Sequence, residues 1–346
     1  MNLKLITRPV LPGDIPAIAD LINAHSMAVV GTCRALIDAD GDLRTARYIP
    51  GAAKQRVVVA SDGRLAAHIY HISRPPHIII EFGFTLHPNR WATSLGDTLL
   101  EGLMDNAHRL VQLSPGDARV VMQAAVLADD DVARMLLAGH GFQVAREWVH
   151  FELELDQAPV VEVPDGVTIR QMDPRADWPA VGAAMDEAFS DHWGELGPQL
   201  RTLLEEDEAD EDGEKSETGD EEPEDDPYSN SLGLCFVAEM GGKVIGSCLC
   251  NARTIEWPDS GKLGSLSVRR AHRRSGVGHA LTAVALAEFH RRGIRRIITD
   301  TDNASFTGAN RLYPRFGFRP YRYELVYEKE LRPGQEWRAL ITTDLA

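Results

Sequence analysis

Apolar and polar positions along this chain predict the same order of elements twice. The first half opens with a strand over 3–10 and an amphipathic helix over 11–25, and the second half opens with a strand over 166–172 and a helix over 173–189. Each of these helices begins just after a Pro or an Asp, residues that favour helix starts. The repeated order indicates two copies of one fold.

Later elements of the two halves correspond as well. β-rich runs joined by Asp-Gly or Gly-Gly predict hairpins over 57–70 and 235–249. An apolar strand, a Gly-bearing turn that opens a helix, and a further strand and helix follow in each half. Both halves then end on a Gly-Phe and a long strand, over 141–155 and 317–331. We therefore expect an α/β (α+β) chain, in which each copy has a mixed, mostly antiparallel sheet flanked by helices.

The halves predict two tandem domains, 1–158 and 159–346. Four pairs of residues set the register between them: Arg8 with Arg170, Ala60 with Ala238, Gly96 with Gly278, and Phe142 with Phe318. The second half holds extra residues between the first two of these pairs. That interval contains 205–226, with fifteen Asp or Glu and one Lys. So charged a segment cannot bury an apolar core, and we expect a disordered insertion over 205–230, either idle or acting as a flap that attracts cations.

Composition excludes several classes of protein. The 346 residues are 44% hydrophobic and 25% charged, as in globular proteins. Outside 205–226 the net charge of −16 falls to about −2, so no basic face for nucleic acid is expected. No apolar run reaches the roughly 18 residues of a membrane helix, and the start lacks the apolar core of a signal peptide. We expect a cytoplasmic monomer or homodimer.

The four cysteines form no C-x-x-C pair, so neither a disulfide framework nor a metal site is expected. Cys248 and Cys250 alternate on a predicted hairpin strand and share one face. Two buried small apolar side chains are the simpler reading of this pair, with redox or metal chemistry as the alternative.

The candidate chemistry lies in the segment after the strand that ends at Val268. A basic turn, Arg273 to Gly278, contains Gly-x-Gly and opens a helix. Glycines let the backbone approach a ligand closely, and the amides of a first helical turn carry about half a positive charge toward an anion. Arg269 and Arg270 add further cations beside Arg273 and Arg274. The pattern predicts a pyrophosphate site; a simple tight turn is the alternative.

At these residues the sequence resembles the GNAT superfamily of N-acetyltransferases. The family's acetyl-CoA signature, Q/R-x-x-G-x-G/A, is met by Arg273, Gly276 and Gly278, and Leu312-Tyr313 and Gly317-Phe318 follow at the family's spacing. The tandem layout is similar to double-GNAT proteins of the mycothiol synthase type. The resemblance implies acetyl-CoA as co-substrate and no metal.

The resemblance also implies roles for individual residues. Tyr313 matches the general acid toward the CoA sulfur, although a core aromatic would explain it too. The family places the backbone of the preceding strand and the phosphate turn against CoA, and an Asn near the last helix beside it. The implied cofactor contacts are Leu266, Ser267, Val268, Arg273, Arg274, Ser275, Gly276, Val277, Gly278, His279, Asn303 and Asn310.

The general base is not identified by the sequence. Many relatives carry a Glu six residues before the strand's final Val, where this chain has Lys262, so it departs from the mycothiol synthase pattern. Water could take the amine's proton, or a carboxylate could. The carboxylates near the predicted site are Glu256, Asp259, Asp300 and Asp302.

The first half lacks the signature. Trp91 stands where Arg273 does, Ser94 where Gly276 does, and Leu137 where Tyr313 does, while Gly96 survives. The side chain of Trp91 and the β-carbon of Ser94 should crowd a pyrophosphate. We expect a degenerate domain that serves as structural partner, with a second working acetyl-CoA site as the alternative.

The acceptor pocket is predicted from Asp191, His192 and Trp193, which follow the second half's first helix; a Trp beside an Asp and a His can stack on a sugar or hold a cation, or can simply pack. We expect acetyl transfer to a primary amine of a small molecule, such as an amino sugar, an antibiotic or a metabolite, by direct attack. The alternatives are a non-catalytic acyl-CoA-binding scaffold and an acetyltransferase for protein amino groups.

Overall fold

The structure is a computed structural model that describes residues 5–38, 41–46, 49, 53–90, 94–195 and 233–339. The predicted acidic insertion and Trp91 lie outside the described residues. Contacts divide the chain into two compact units. Unit 1 is Met1–Glu147 with Tyr323–Glu336, and unit 2 is Trp148–Arg322 with Trp337–Ala346.

The predicted helices and strands of the first half are present, together with two short paired strands after the first helix that the sequence did not predict. In chain order they are β1 (Ile6–Pro9), α1 (Ile15–Val30), β2 (Ala35–Ile37), β3 (Leu43–Thr45), β4 (Lys54–Val59), β5 (Leu65–Ser73), β6 (Ile79–Leu86), α2 (Leu95–Leu110), β7 (Val120–Leu127), α3 (Asp131–Gly139) and β8 (Gln143–Glu154).

The described elements of the second half repeat this order except for β2 and β3. Its described elements are β9 (Val167–Gln171), α4 (Pro174–Phe189), β10 (Phe236–Met240), β11 (Lys243–Asn251), β12 (Ser260–Val268), α5 (Val277–Arg291), β13 (Arg296–Asp302), α6 (Ala309–Leu312) and β14 (Arg319–Arg332). Short 3₁₀ turns join several of them, including one over Tyr313–Phe316.

The sheets of the two units have the same strand order. In unit 1 it is β1-β4-β5-β6-β7-β14, and in unit 2 it is β9-β10-β11-β12-β13-β8. Among the described strands of these two sheets, β6 with β7 and β12 with β13 pair in parallel, and the other neighbours within each unit are antiparallel. The mixed, mostly antiparallel sheet expected for each copy is confirmed.

The last strands of the two halves are exchanged between the units. β8, from the first half, pairs with β13 from Trp148 opposite Asp302 to Glu154 opposite Arg296. β14, from the second half, pairs with β7 and places Glu324 opposite Leu127. The two final strands have similar alternation and antiparallel partners of the same kind. The sequence pattern therefore does not specify which sheet each strand joins.

One ion pair marks the repeat in both units. Arg8 donates two hydrogen bonds to Asp14, at 2.5 and 2.7 Å, and Arg170 donates two to Asp177, at 2.6 and 2.7 Å. The hydrogen bonds from Arg8 hold the pKa of Asp14 at about 2. Each pair ties the first strand of its unit to the following helical segment.

The core of unit 2 fixes the helix that opens the candidate site. Leu281, Leu286 and Phe289 of α5 are fully buried. A β-carbon on Gly261 of β12 would clash with the Phe289 ring, so a glycine is needed for this close approach. The helix is thereby held rigidly over the sheet.

Candidate active site

The candidate site lies where β12 and β13 part. Their parallel pairing runs from Ser260 opposite Arg296 to Leu263 opposite Thr299. Beyond these pairs, a cavity of about 720 Å³ is lined by Gly264–Val268 (except Ser267) on one strand and Asp300–Asp302 on the other. Parting parallel strands expose backbone groups to a ligand, which suits a chain-like molecule laid between them.

A β-bulge re-aims β12 inside this cavity. The pairing of β12 with β11 changes register between Leu249 opposite Ser265 and Cys250 opposite Leu263, which leaves Gly264 as the extra residue. Bulges turn backbone groups out of the ladder and are frequent beside active sites. The sequence analysis did not predict this bulge, because an isolated glycine in a strand has several explanations.

The predicted phosphate turn forms the mouth of α5. Arg274 has a φ of 65° and Gly276 one of 91°, so alternate residues are left-handed before the first helical turn. Such an arrangement points successive N–H groups to one side, and the first-turn amides of a helix have no partner within the helix. Gly276, Gly278 and His279 line the cavity. The turn therefore presents hydrogen-bond donors toward the cavity, and their binding of a pyrophosphate stays a prediction.

Neighbouring residues of the turn have supporting positions. Ser275 is exposed, and its hydroxyl donates to the carbonyl of His272 at 2.6 Å. Val277 is buried beneath the turn. The His279 ring stacks on Phe316 with centroids 4.5 Å apart. Their backbone amides, rather than their side chains, are what the turn can offer to a phosphate.

Three of the four flanking arginines are bound to acidic residues at the end of α4. Arg273 donates to both oxygens of Asp191, at 2.9 and 3.2 Å, and to the carbonyl of Ala188 at 2.7 Å. Arg270 also pairs with Asp191, at 3.2 Å, and Arg269 pairs with Glu187. In this arrangement these three side chains fasten the phosphate turn to the predicted acceptor loop.

Arg274, Arg311 and Arg315 line the cavity beside the turn, together with the Asp191-bound Arg273. An added β-carbon on Gly308 would lie 3.2 Å from Nη1 of Arg274 and 2.9 Å from Nη2 of Arg311. Two guanidiniums thus converge on Gly308, which is buried, a geometry suited to an anion between them. The sequence reasoning missed Arg311 and Arg315, although their four-residue spacing around Tyr313 was a usable signal.

Tyr313 joins the hydrophobic core to the cavity. It is 4% exposed, lies against Phe151 and Phe318 with centroids 6.0 and 5.6 Å apart, and lines the cavity. Burial raises the pKa of its phenol well above the ordinary value, and a hydrogen bond with Thr299 only partly offsets this. The phenol therefore stays protonated at neutral pH, as a proton donor must.

Several predicted cofactor contacts have other surroundings. Leu266 and Val268 line the cavity, whereas the buried Ser267 hydroxyl lies 2.8 Å from that of Ser247. Asn310 donates to the carbonyl of Asn303 at 2.7 Å, and neither is among the lining residues of the described cavity. These two residues close the loop after β13, and their contact with a cofactor stays a prediction.

The carboxylates considered as bases differ in their surroundings. Glu256 is 6% exposed in its side chain and receives both 2.7 Å hydrogen bonds from Arg322. Asp259 is exposed and is not among the cavity's lining residues. Asp300 and Asp302 line the cavity, and Asp300 lies 2.6 Å from Lys262. Of the four, only Asp300 and Asp302 are placed to meet a substrate.

The predicted acceptor loop forms one wall of the cavity. The His192 ring stands edge-on between Phe189 and Phe306, with centroids 4.9 and 5.7 Å away, and burial lowers the pKa of His192. Trp193 lines the cavity, while Asp191 binds the turn arginines. Trp148, on the exchanged strand β8, also lines the cavity. Trp148 is not recognisable from the sequence, because the order of elements places its strand in the first half.

Cys248 and Cys250 are buried, with their sulfur atoms 3.7 Å apart, and burial raises the pKa of the Cys250 thiol. Such thiols are unreactive. Among the residues described, no cluster of three or more His, Cys, Asp or Glu is arranged to hold a metal. No described helix is both long and apolar enough to span a bilayer.

The corresponding part of unit 1 differs in detail. Ser94, the residue before α2, has a φ of −70°, so the left-handed turn of Gly276 has no counterpart there. His25 contacts the carbonyl of Leu86 at 3.0 Å and Asp130 at 2.8 Å. The cavity between β6 and β7 measures only about 130 Å³, and Leu137 is buried in the core.

Comparison with known proteins agrees with this geometry. Residues 198–318 match the model of the acetyltransferase (GNAT) family. Mycothiol acetyltransferase of Thermobispora bispora is 27% identical over 316 residues, covering 87% of this chain and 95% of that protein. The enzyme of the same name from Salinispora arenicola is 26% identical, covering 91% and 94%.

Two solved structures resemble the whole chain. A GCN5-related N-acetyltransferase from Sphaerobacter thermophilus has a TM-score of 0.68 and 27% identity, covering 96% of this chain and 97% of that one. A tandem GNAT protein of the clavulanic acid biosynthesis pathway has a TM-score of 0.65 and 17% identity, covering 96% and 100%. The fold and site thus define an acyltransferase. Residues 198–318 match the GNAT family, and the chain as a whole has the tandem GNAT fold and is similar to mycothiol acetyltransferases.

Proposed function

We propose that this chain transfers an acetyl group from acetyl-CoA to a primary amine of a small molecule by direct attack. The observation that carries the proposal is the left-handed turn at Arg274 and Gly276, which opens a 15-residue helix into a cavity of about 720 Å³. The same cavity is lined by Tyr313 and by the unpaired edge of β12. One cavity thus offers hydrogen-bond donors suited to a phosphate, a channel suited to the thioester arm and a proton donor, which supports the proposal.

The first turn of α5 fits the diphosphate of CoA. The amides of Val277, Gly278 and His279 lie in the first helical turn and have no partner within the helix, and no side chain on Gly276 obstructs them. A β-carbon there would lie 3.3 Å from Pro164 in addition to being strained. Arg274, Arg311 and Arg315 supply the positive charge for the remaining phosphate. The pantetheine arm would then follow the edge of β12 beyond the Gly264 bulge.

The chemistry that follows needs no covalent enzyme intermediate. The neutral amine attacks the thioester carbonyl and forms a C–N bond, and the oxyanion is stabilised by N–H groups of β12. The C–S bond then breaks, and the Tyr313 phenol gives its proton to the leaving thiolate. The amine's own proton passes to water, which restores the phenol. The products are the N-acetylated amine and CoA.

The cavity walls favour a compact acceptor with apolar and polar faces. Trp148, His192 and Trp193 provide rings, and Asp302 and Glu195 provide carboxylates on the same lining. Rings beside carboxylates suit an amino sugar or a similar cationic amine. The relatives named mycothiol acetyltransferase make desacetylated mycothiol one acceptor to test. Lys262 stands where the resemblance to the family implies a Glu, which argues for a different or additional acceptor.

An amine panel tests the proposal. Purified protein is mixed with acetyl-CoA and one amine at a time: glucosamine, desacetylated mycothiol, an aminoglycoside, a polyamine or a lysine peptide. CoA release is followed with a thiol reagent, and the mass of the product is measured by mass spectrometry. We expect stoichiometric CoA and N-acetyl product from at least one small amine. Tight acetyl-CoA binding without turnover of any amine would favour a binding module instead, and turnover of the peptide alone would favour a protein acetyltransferase.

A further inference from the structure

The wall of the acceptor site is completed by a segment more than 140 residues away in sequence. The N–H of Gly194 donates to the carbonyl of Ala339 at 3.0 Å, and the N–H of Ala339 donates to the carbonyl of Glu195 at 2.8 Å. Two backbone hydrogen bonds therefore fasten the loop that carries Trp193 to residues 337–339. Both Trp193 and Glu195 line the cavity.

Arg338, the residue before Ala339, is buried beside the Trp193 ring. It is only 6% exposed, and its guanidinium carbon lies 5.8 Å from the centroid of the Trp193 ring. A guanidinium near an aromatic face is attracted by it, more strongly where water is excluded. A buried charge is also costly to move, so it fixes the groups around it. Arg338 is thus placed to set the orientation of Trp193.

The two ends of the acceptor loop have separate anchors. Asp191 binds Arg273 of the phosphate turn, and His192 is held between two phenylalanine rings. Trp193 and Gly194 are held instead by Arg338 and Ala339. A change at Arg338 should therefore reach the acceptor wall without reaching the phosphate turn.

We propose that residues 337–339 form part of the acceptor site, and that Arg338 is a positioning residue that holds Trp193 in the wall facing the amine. The expected change in amine KM rests on the proposed function, whereas the role of Arg338 in holding Trp193 does not. Arg338 does not touch the reacting atoms; it acts through Trp193. The segment thereby determines how well an acceptor fits.

Three variants of the full chain test the inference by kinetics. Arg338→Met keeps the apolar stem and removes the charge, Arg338→Lys restores a cation, and Arg253→Met removes an exposed arginine elsewhere in unit 2. With the best amine of the panel, we expect Arg338→Met to raise the amine KM at least fivefold. Its kcat at saturating amine and its acetyl-CoA Kd should stay within twofold of the wild type. Arg338→Lys should bring the amine KM most of the way back to the wild-type value, and the kinetic constants of Arg253→Met should match those of the wild type.

Hydrogen exchange supplies a readout that needs no turnover. The amide of Gly194, followed in a peptide spanning the acceptor loop, should exchange about tenfold faster in Arg338→Met than in the wild type. If the wild type acetylates no amine, the proposed function fails while this exchange result still decides the positioning role. Unchanged exchange would overturn the inference. So would an unchanged amine KM in an active enzyme, or equal losses of kcat and acetyl-CoA affinity.

Discussion

Lys262 and Asp300 form an ion pair on the neighbouring strands β12 and β13, with Nζ 2.6 Å from Oδ1. Burial acts to raise the pKa of Asp300, but attraction to Lys262 and His150 and the hydrogen bond from Lys262 outweigh it, so the pKa lies below its ordinary value. Asp300 is thus ionised at neutral pH but is a weak base. Lys262, at the position where the resemblance implies a Glu, therefore suppresses the basicity of Asp300.

This pairing predicts the pH dependence of the reaction. Because Asp300 is held by Lys262 and is a weak base, we expect the amine to lose its proton to water, so kcat/KM should rise about tenfold per pH unit from pH 6 up to the pKa of the acceptor amine itself. Initial rates of CoA release across pH 5.5 to 9.5 measure this, with acetyl-CoA saturating. A plateau that begins below pH 7, whichever amine is used, would instead reveal a general base on the enzyme.

Replacing Tyr313 by Phe should separate catalysis from binding. The ring keeps its packing against Phe151 and Phe318, while the proton donor is lost. General acid catalysis contributes about 10²–10⁴-fold, so we expect kcat to fall at least about 100-fold with acetyl-CoA affinity unchanged. Tyr321→Phe is the matched control, since Tyr321 packs on Trp257 and is not among the lining residues of the described cavity. Equal activities of the two variants would remove Tyr313 from the mechanism.

His68 makes the stability of unit 1 sensitive to acid. It is 1% exposed, its ring nitrogen Nε2 lies 3.0 Å from Oε1 of Gln55, and burial lowers its pKa to about 4. In the unfolded chain this histidine is protonated below about pH 6.5, whereas in the folded unit it is protonated only below about pH 4. The free energy of unfolding therefore falls as the pH drops through this window.

His68→Gln should flatten that dependence. At pH 5 the linkage costs the wild type about 2 kcal/mol, and a neutral amide that can still bond Gln55 would not incur it. Urea unfolding followed by circular dichroism at pH 7.5 and pH 5 gives the difference for each protein. The same loss of stability in both proteins would show that other groups control the acid sensitivity.

Each chain should bind one acetyl-CoA. Ser94 lacks the left-handed turn of Gly276, His25 contacts the Leu86 carbonyl, and the cavity of unit 1 is far smaller than a CoA molecule requires. Native mass spectrometry with excess acetyl-CoA should show a single added ligand, and none in a variant whose turn in unit 2 is disrupted. A second ligand of similar affinity would show that unit 1 remains a working site.

The sequence predicted what depends on local pattern. Periodicity predicts the repeat and the opening strand and helix of each half. The turn at Gly276 follows from its glycines, because a left-handed backbone favours that residue. The bidentate pair of Arg8 with Asp14, repeated by Arg170 with Asp177, shows how closely the copies correspond.

Features that depend on distant parts of the chain were not predictable in this way. The exchange of β8 and β14 leaves the alternation of each strand unchanged, so nothing local records that Trp148 belongs to unit 2. Asp191 carries no sign in sequence that it binds Arg273, and Arg338 none that it lies beside Trp193. Pairing across more than 80 residues is decided by tertiary packing rather than by propensity.

The central claim is that the amides at the start of α5 bind the diphosphate of acetyl-CoA, and calorimetry on two glycine variants tests it most directly. At Gly276 a side chain would be forced into left-handed backbone, at a cost of about 1–2 kcal/mol. At Gly278 an added β-carbon would meet its nearest neighbour, Val268, at an ordinary 3.6 Å. We predict that Gly276→Ala binds acetyl-CoA about tenfold more weakly than the wild type, whereas Gly278→Ala binds within threefold. Absence of binding heat in the wild type, or equal affinity of Gly276→Ala and the wild type, would contradict the account.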